Sequence, residues 1–370
     1  MTLFADERLA RPAGRRRRRI GWTLLLLALA GTVIFATVPS PYVIQQPGPV
    51  FDTLGEIQTG KDTTVPVVEI SGARTYPTKG SLDLLTVNLV GNRSSLPSWL
   101  DVAGAMLDPS KAVLPLDSVY PEGTTVEQSN EQSAVEMQNS QRDAVAAALT
   151  ELGYTLPTTV TVGGLSEGAP AEGVLKKGDV IVSVNGEHAD SVSGLRAILA
   201  KTGAGVPVPF LISRDGVEQT VQVTPELSDE KTPVPVVGIY PAISYTFPFD
   251  VKIQLENVGG PSAGQMLALG IIDKLTPGAL NGGKKIAGTG TIDVDGNVGA
   301  IGGIRQNLYG ARDAGATWFL APASNCDEVV GHVPSGIRVV AVSTLDDSLD
   351  ALKAIAADRG TAELPSCTAG

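Results

Sequence analysis

Histidine and cysteine are nearly missing from this 370-residue chain, at two residues each. A site built on clustered imidazoles is excluded, and acid–base chemistry falls to other residue types. Two cysteines cannot complete a tetrahedral zinc site, so neither a metal nor another cofactor is expected. Aromatic residues make up 5%, too few for a platform on which nucleic-acid bases stack. The net charge of −11 argues equally against a polyanion, so no nucleic-acid partner is expected.

What is present is a 43% hydrophobic composition with 42 glycines and 25 prolines, enough for a buried core. The length suits two or three domains. Charge is uneven: Arg8, Arg11 and Arg15 to Arg19 precede residue 20, leaving an acidic body. The run from Ile20 to Val38 carries no charge. As a helix it rises about 28 Å, close to the ~30 Å hydrocarbon core of a bilayer. The arginine block keeps the N-terminus cytoplasmic and the body outside. A cleaved signal peptide has a shorter apolar region, roughly 7–15 residues, with a small-residue exit. Here the run ends in Thr37-Val38-Pro39-Ser40-Pro41. An uncleaved single-pass anchor in the cell membrane is the expectation. Outside the cytoplasm cysteines tend to pair, so Cys326 and Cys367 are expected to form a disulfide that pins the C-terminal tail.

Residues 42–95 read as strands, among them VPVVEI (65–70) and SLDLLTVNLV (81–90). Residues 94–140 are polar and mixed. Gln141 to Leu152 reads as a helix with Val145, Leu149 and Leu152 at helical spacing, stopped by Gly153. Residues 155–227 alternate strands and loops with one short amphipathic helix, SVSGLRAILAKT, and a hairpin around Asp215-Gly216. Gly168-Ala169-Pro170-Ala171, Leu175, Gly178-Asp179-Val180-Ile181 and Val184-Asn185-Gly186 together resemble a PDZ domain. That resemblance implies capture of an extended peptide as an added strand at a sheet edge. Ser228-Asp229-Glu230-Lys231 reads as a linker.

The chemical signal is Gly259-Gly260-Pro261-Ser262-Ala263-Gly264 before an apolar helix. A serine at a helix N-terminus feels the positive end of the dipole, and nearby backbone N–H groups can bind an oxyanion. Gly259, Gly260 and Ala263 are candidates for that approach. The alternative is a serine that only caps the helix. Downstream, Ile286 to Ile292 reads as one strand, Asp295-Gly296 as a turn, and Gly302-Gly303-Ile304 as the lead into a helix with Ile304, Leu308 and Ala311 on one face. GPSAG (260–264), TGTIDVDGNVGAIGGI (289–304) and GATWFLAPASN (315–325) resemble the proteolytic domain of Lon peptidases. With the anchor and the PDZ-like unit, the chain resembles the membrane-anchored PDZ/Lon-like serine peptidases. These lack an ATPase module, and no G-x-x-x-x-G-K-[ST] loop occurs here, so no ATP is expected.

The resemblance implies a Ser–Lys dyad. Ser262 matches the nucleophile and Thr289 the threonine that supports the dyad. The lysine position, three residues after Ile304, is Asn307. An amide cannot take up the serine proton at neutral pH. Arg305 cannot act as a base, and Lys284 and Lys285 read as solvated turn lysines. G-x-S-x-G also marks the elbow of α/β-hydrolases, but that fold needs a buried strand before the serine and a catalytic histidine. Here Gln254-Leu255-Glu256-Asn257 precedes, and the later His332 sits in a turn-like stretch.

The expected fold class is α+β, with an N-terminal transmembrane helix, a PDZ domain and a Lon-type proteolytic domain. The expected boundaries are a cytoplasmic tail 1–19, an anchor 20–38, a β-rich segment 42–140 contributing to the proteolytic domain, PDZ 141–228, Lon-like 234–359 and a tail 360–370. The expected function is an ATP-independent extracytoplasmic serine endopeptidase acting on peptides or unfolded chains, impaired at Asn307. The alternative is a non-catalytic peptide-binding protein.

Overall fold

The computed structural model describes residues 13–59, 63–121, 123, 125–166, 168–189, 192–228, 233–255 and 258–368. Most of the arginine-rich tail before residue 13, the linker residues Asp229, Glu230 and Lys231, and Glu256 and Asn257 lie outside them.

The elements that place the site run in chain order as follows. Helix α1 is Ala13–Thr37, followed by β1 (Tyr42–Asp52), β2 (Val68–Ser71), β3 (Ser81–Val90), α2 (Trp99–Met106), β4 (Ala112–Pro115) and α3 (Val126–Glu151). Next come β5 (Thr158–Leu165), β6 (Val180–Val184), α4 (Val192–Thr202), β7 (Val208–Arg214), β8 (Val217–Val223), β9 (Ile239–Tyr245) and β10 (Asp250–Ile253). The chain closes with α5 (Gly264–Leu275), β11 (Lys285–Gly288), β12 (Thr291–Ile292), β13 (Val298–Gly299), α6 (Ile304–Asp313), β14 (Trp318–Pro322), β15 (Arg338–Val342) and α7 (Leu345–Ala357).

Two sheets organise the α+β body. The first has the order β15-β14-β11-β3-β1-β4. Its centre is the parallel pairing of β3 with β11, which joins strands about 200 residues apart in sequence, as in Ile286 opposite Leu82. One face of this sheet buries Leu82, Leu84, Ile286 and Leu320 against α3, α5 and α7. The other buries Leu85, Ala287 and Phe319 against Ile304, Leu308 and Ala311 of α6. Adjacent residues such as Ile286 and Ala287 serve opposite faces because strand side chains alternate.

The second sheet, β8-β7-β6-β5-β9, has its own core of Val160, Ile181, Leu195, Leu199, Phe210 and Ile212. Asp215 and Gly216 both have positive φ, which suits the tight β7–β8 hairpin. Asp179 is 1% exposed and is held by a bidentate contact from Arg214, at 2.7 Å to each carboxylate oxygen.

Three expectations change. The helix expected from Gln141 begins fifteen residues earlier, at Val126, where Thr125 and Gln128 form a capping box. Its first turns are mostly exposed, so polar composition hides the helix there. The same helix buries Met137, Ala144, Val145, Ala148 and Leu149 in the core of the first sheet, not the second. The apolar reading of 141–152 is thus satisfied by α5 and not by the second sheet. Finally, the strand expected over 286–292 breaks after Gly288, and Thr291–Ile292 turns back to pair with Val298–Gly299.

Helix α1 contains a 20-residue span, Arg18–Thr37, of mean hydropathy 2.0 and with none of it buried; by length and composition it can cross a membrane. The described residues include the disulfide between Cys326 and Cys367, with Cα atoms 4.9 Å apart.

Candidate active site

Helix α5 is buried along nearly its whole length, from Gly264 to Asp273. Its N-cap is Ala263, with no side-chain cap, so Ser262 stands one residue outside the helix and its hydroxyl is not spent on capping. Ser262 is half-buried while Ala263 behind it is 1% exposed. A Cβ on Gly264 would stand 2.9 Å from Ile292 Cγ2 and 3.0 Å from both Ile292 N and Ser140 Oγ. Only glycine lets the first turn of α5 meet β12 and α3 this closely.

The serine backbone is fixed from two sides. The carbonyl of Ser262 accepts from Gly290 N at 2.9 Å and from Thr289 Oγ1 at 3.1 Å. The carbonyl of Pro261 accepts from Ser140 Oγ at 2.9 Å. Ser140, on a polar stretch of α3 that sequence reasoning left unassigned, is thus a positioning residue for the serine loop. The helical spacing of Met137, Ser140 and Ala144 is the signal that would have found it.

Thr289 also accepts from Asn307 Nδ2 at 3.4 Å. The fold therefore joins Ser262, Thr289 and Asn307 in one chain of contacts, although they come from the loop before α5, the residue after β11 and helix α6. Thr289 is 0% and Asn307 2% exposed. Because the Thr289 hydroxyl donates to Ser262, it can only accept from Asn307, which orients the amide nitrogen toward it. Asn307 Oδ1 is then buried without a hydrogen-bond partner among the described residues.

The two glycines proposed for oxyanion or substrate approach are placed differently. Gly260 N–H donates to the Ser133 carbonyl at 3.0 Å and is not offered to an oxyanion. A Cβ on Gly259 would lie 2.8 Å from Ser133 Cβ, so this glycine serves the close packing of the loop on α3. Both contacts have one cause: α3 starts earlier than its sequence suggests and lies over the serine loop.

Among the described residues, no lysine takes up the position of Asn307. Lys284 Nζ donates to the Ile355 carbonyl at 2.6 Å and pairs with Asp358 at 3.1 Å, tying it to the end of α7. Lys285 is exposed on β11. Burial lowers the pKa of Lys274, as a base would need, but its amine donates to the Val68 carbonyl at 2.7 Å. It also sits in the last turn of α5, about 15 Å along the helix from Gly264. His188 is exposed, with Nδ1 2.7 Å from the Val182 carbonyl. His332 Nδ1 lies 3.1 Å from the Val330 carbonyl, in a turn.

Residues 257–354 match the family described as the Lon protease (S16) C-terminal proteolytic domain, and residues 131–224 match the PDZ domain family. The chain carries a Lon-type proteolytic domain and a PDZ domain. The Lon protease of Campylobacter concisus is 27% identical over 183 residues, 46% of this chain and 22% of that protein. Lon protease 2 of Herpetosiphon aurantiacus is 42% identical over 107 residues, 27% of this chain and 13% of that protein. The likeness thus spans less than a quarter of either relative. Among solved structures, the PDZ domain of an SdrC-like protein from Listeria innocua is similar at 23% identity, over 22% of this chain and 92% of that one, with a TM-score of 0.21. The Lon-type match takes in Ser262, Thr289 and Asn307.

Proposed function

We propose that this protein is a membrane-anchored, extracytoplasmic, ATP-independent serine endopeptidase whose PDZ domain captures an extended peptide and whose cleavage is slow because Asn307 stands where a base is needed. The observation that carries the reading is the contact chain Ser262–Thr289–Asn307. In this reading Ser262 Oγ attacks the scissile carbonyl beside the N-terminus of α5, whose dipole favours the developing oxyanion. The serine proton must leave as the C–O bond forms. Asn307 has no basic atom to receive it, so the proton passes to water, and the rate loses the contribution of a positioned base, roughly 10²–10⁴-fold. Peptide capture is supported by β9, which ends the second sheet and has a neighbour on one side only. The apolar span of α1 and the arginines before it support the anchor and its orientation.

A second reading, a peptide-binding protein that has lost cleavage, is favoured by the unpartnered Asn307 Oδ1 and the commitment of Lys284 elsewhere. Asn307→Lys separates the two. Restoring an amine in a site that is 2% exposed lowers its pKa through desolvation and allows it to take the Ser262 proton. Cleavage of an unfolded test protein should rise at least about tenfold, or about 1.4 kcal/mol in the barrier. Adding Ser262→Ala should abolish the gain. A folded Asn307→Lys protein with no gain supports the peptide-binding reading. Robust Ser262-dependent cleavage by the unaltered chain would show that a different group serves as base.

A further inference from the structure

Away from the serine, α2 presents an apolar surface with no partner among the described residues except at Trp99, whose ring meets that of Tyr42 edge-on at 5.8 Å. Its inner face buries Val102 and Ala105 against Ile44. Its outer face leaves Leu100 49%, Met106 67% and Leu107 87% exposed, with Trp99 beside them at 36%. The one ionisable residue in the helix, Asp101, is folded back into the capping box, accepting from Ser98 N at 2.9 Å and Ser98 Oγ at 2.7 Å. A water-facing helix carries several polar residues on its outer face; this one carries only Asp101, whose carboxylate is engaged by Ser98 in the cap.

The position of α2 decides what covers it. Trp99 N donates to the Val38 carbonyl, and Ser40 donates to the Pro97 carbonyl through both N, at 2.9 Å, and Oγ, at 3.0 Å. Pro39 and Ser98 form a β-bridge. The start of α2 is thereby tied to the residues immediately following the apolar span of α1, with Ser40 fully buried in the junction.

We propose that α2 is an interfacial helix, seated among the lipid headgroups and upper acyl chains of the outer leaflet beside the point where α1 leaves the bilayer. The proposal rests on the anchor reading of α1. Two facts select lipid as the occupant: the face is continuous with the membrane span, and it combines a tryptophan with aliphatic residues. Indole rings favour the membrane–water interface, and an amphipathic helix there buries its apolar side about 5–10 Å deep. Seated this way, α2 fixes the height and tilt of the first sheet through β1, which follows α1 directly and packs on α2.

The test uses the full chain in phosphatidylcholine–phosphatidylglycerol vesicles whose lipids are brominated either high on the acyl chains or near their methyl ends. The tryptophans are Trp22 in α1, Trp99, and Trp318, which is buried in the first sheet. In a Trp22→Phe variant, bromine placed high on the chains should quench roughly half of the remaining emission, because an interfacial Trp99 is reached and Trp318 is not. Adding Leu100→Asp and Leu107→Asp, both at exposed positions, should at least halve that quenching with the melting temperature unchanged. Unquenched emission from the Trp22→Phe protein overturns the proposal. If that emission is also blue-shifted and varies with the protein-to-lipid ratio, the face belongs to a second copy of the chain. Trp22, read as the difference between the unaltered chain and Trp22→Phe, is the control. Its quenching with Trp99 unquenched sinks only this proposal, whereas its escape from bromine at every depth sinks the anchor reading as well.

Discussion

Asp83 should make the proteolytic domain more stable in mild acid than at pH 8. It lies on β3, directly opposite Asp52 in the register with β1, and is 6% exposed. Burial, reinforced by the Asp52 charge, raises its pKa from an ordinary 3.8 to about 6. Because the folded-state value is the higher one, the folded protein holds the proton more tightly. The resulting stabilisation is full below pH 3.8 and is lost as pH rises through 6. The gap between the two values corresponds to about 3 kcal/mol, at 1.36 kcal/mol for each tenfold in proton affinity. Between pH 8 and pH 5, about 1.4 kcal/mol of this returns, since near pH 5 the folded carboxyl is mostly protonated and the unfolded one mostly ionised. Asp83→Asn fixes the neutral form. Urea unfolding in detergent should show the variant more stable than the unaltered chain at pH 8, with an advantage about 1.4 kcal/mol smaller at pH 5. Asp273 and Asp143 are also shifted upward by burial and steepen the same trend, but they are common to both proteins and cancel in the comparison. An advantage equal at the two pH values would refute the reasoning.

Two further outcomes follow from the two cores. Arg214→Ala leaves the Asp179 carboxylate without its bidentate partner and should destabilise the second sheet, seen as faster amide exchange confined to it. Replacing Cys326 and Cys367 by serine opens a loop with a sequence separation of 41 and should cost about 4 kcal/mol on the loop-closure estimate, seen as a lower unfolding midpoint of the first sheet.

Local signals in the sequence were strong wherever one residue type has one physical use. The uncharged run of α1, the Asp215-Gly216 hairpin and the glycines before Ser262 are of this kind. So is Asn307, because an amide cannot do the work of an amine anywhere in a fold. The extent of α3 was not legible, because its first turns are polar and face water, and periodicity shows itself only where a helix buries one side. The same gap concealed Ser133 and Ser140, whose roles exist only because α3 lies across the serine loop. It also concealed the bond from Gly260 N–H to the Ser133 carbonyl, which withholds that donor from an oxyanion.

What the sequence alone determined was the two domain types and the apolar span, which depend on which residues are present and in what order. What only the tertiary structure decided was which groups meet. Strand β3 joins β11 across about 200 residues, Lys284 is drawn to the end of α7, and α2 lies against the last residues of the apolar span. Each of these depends on contacts between segments distant in the chain, and no local pattern of propensity or periodicity encodes which distant partner a buried face or an unpaired donor will find.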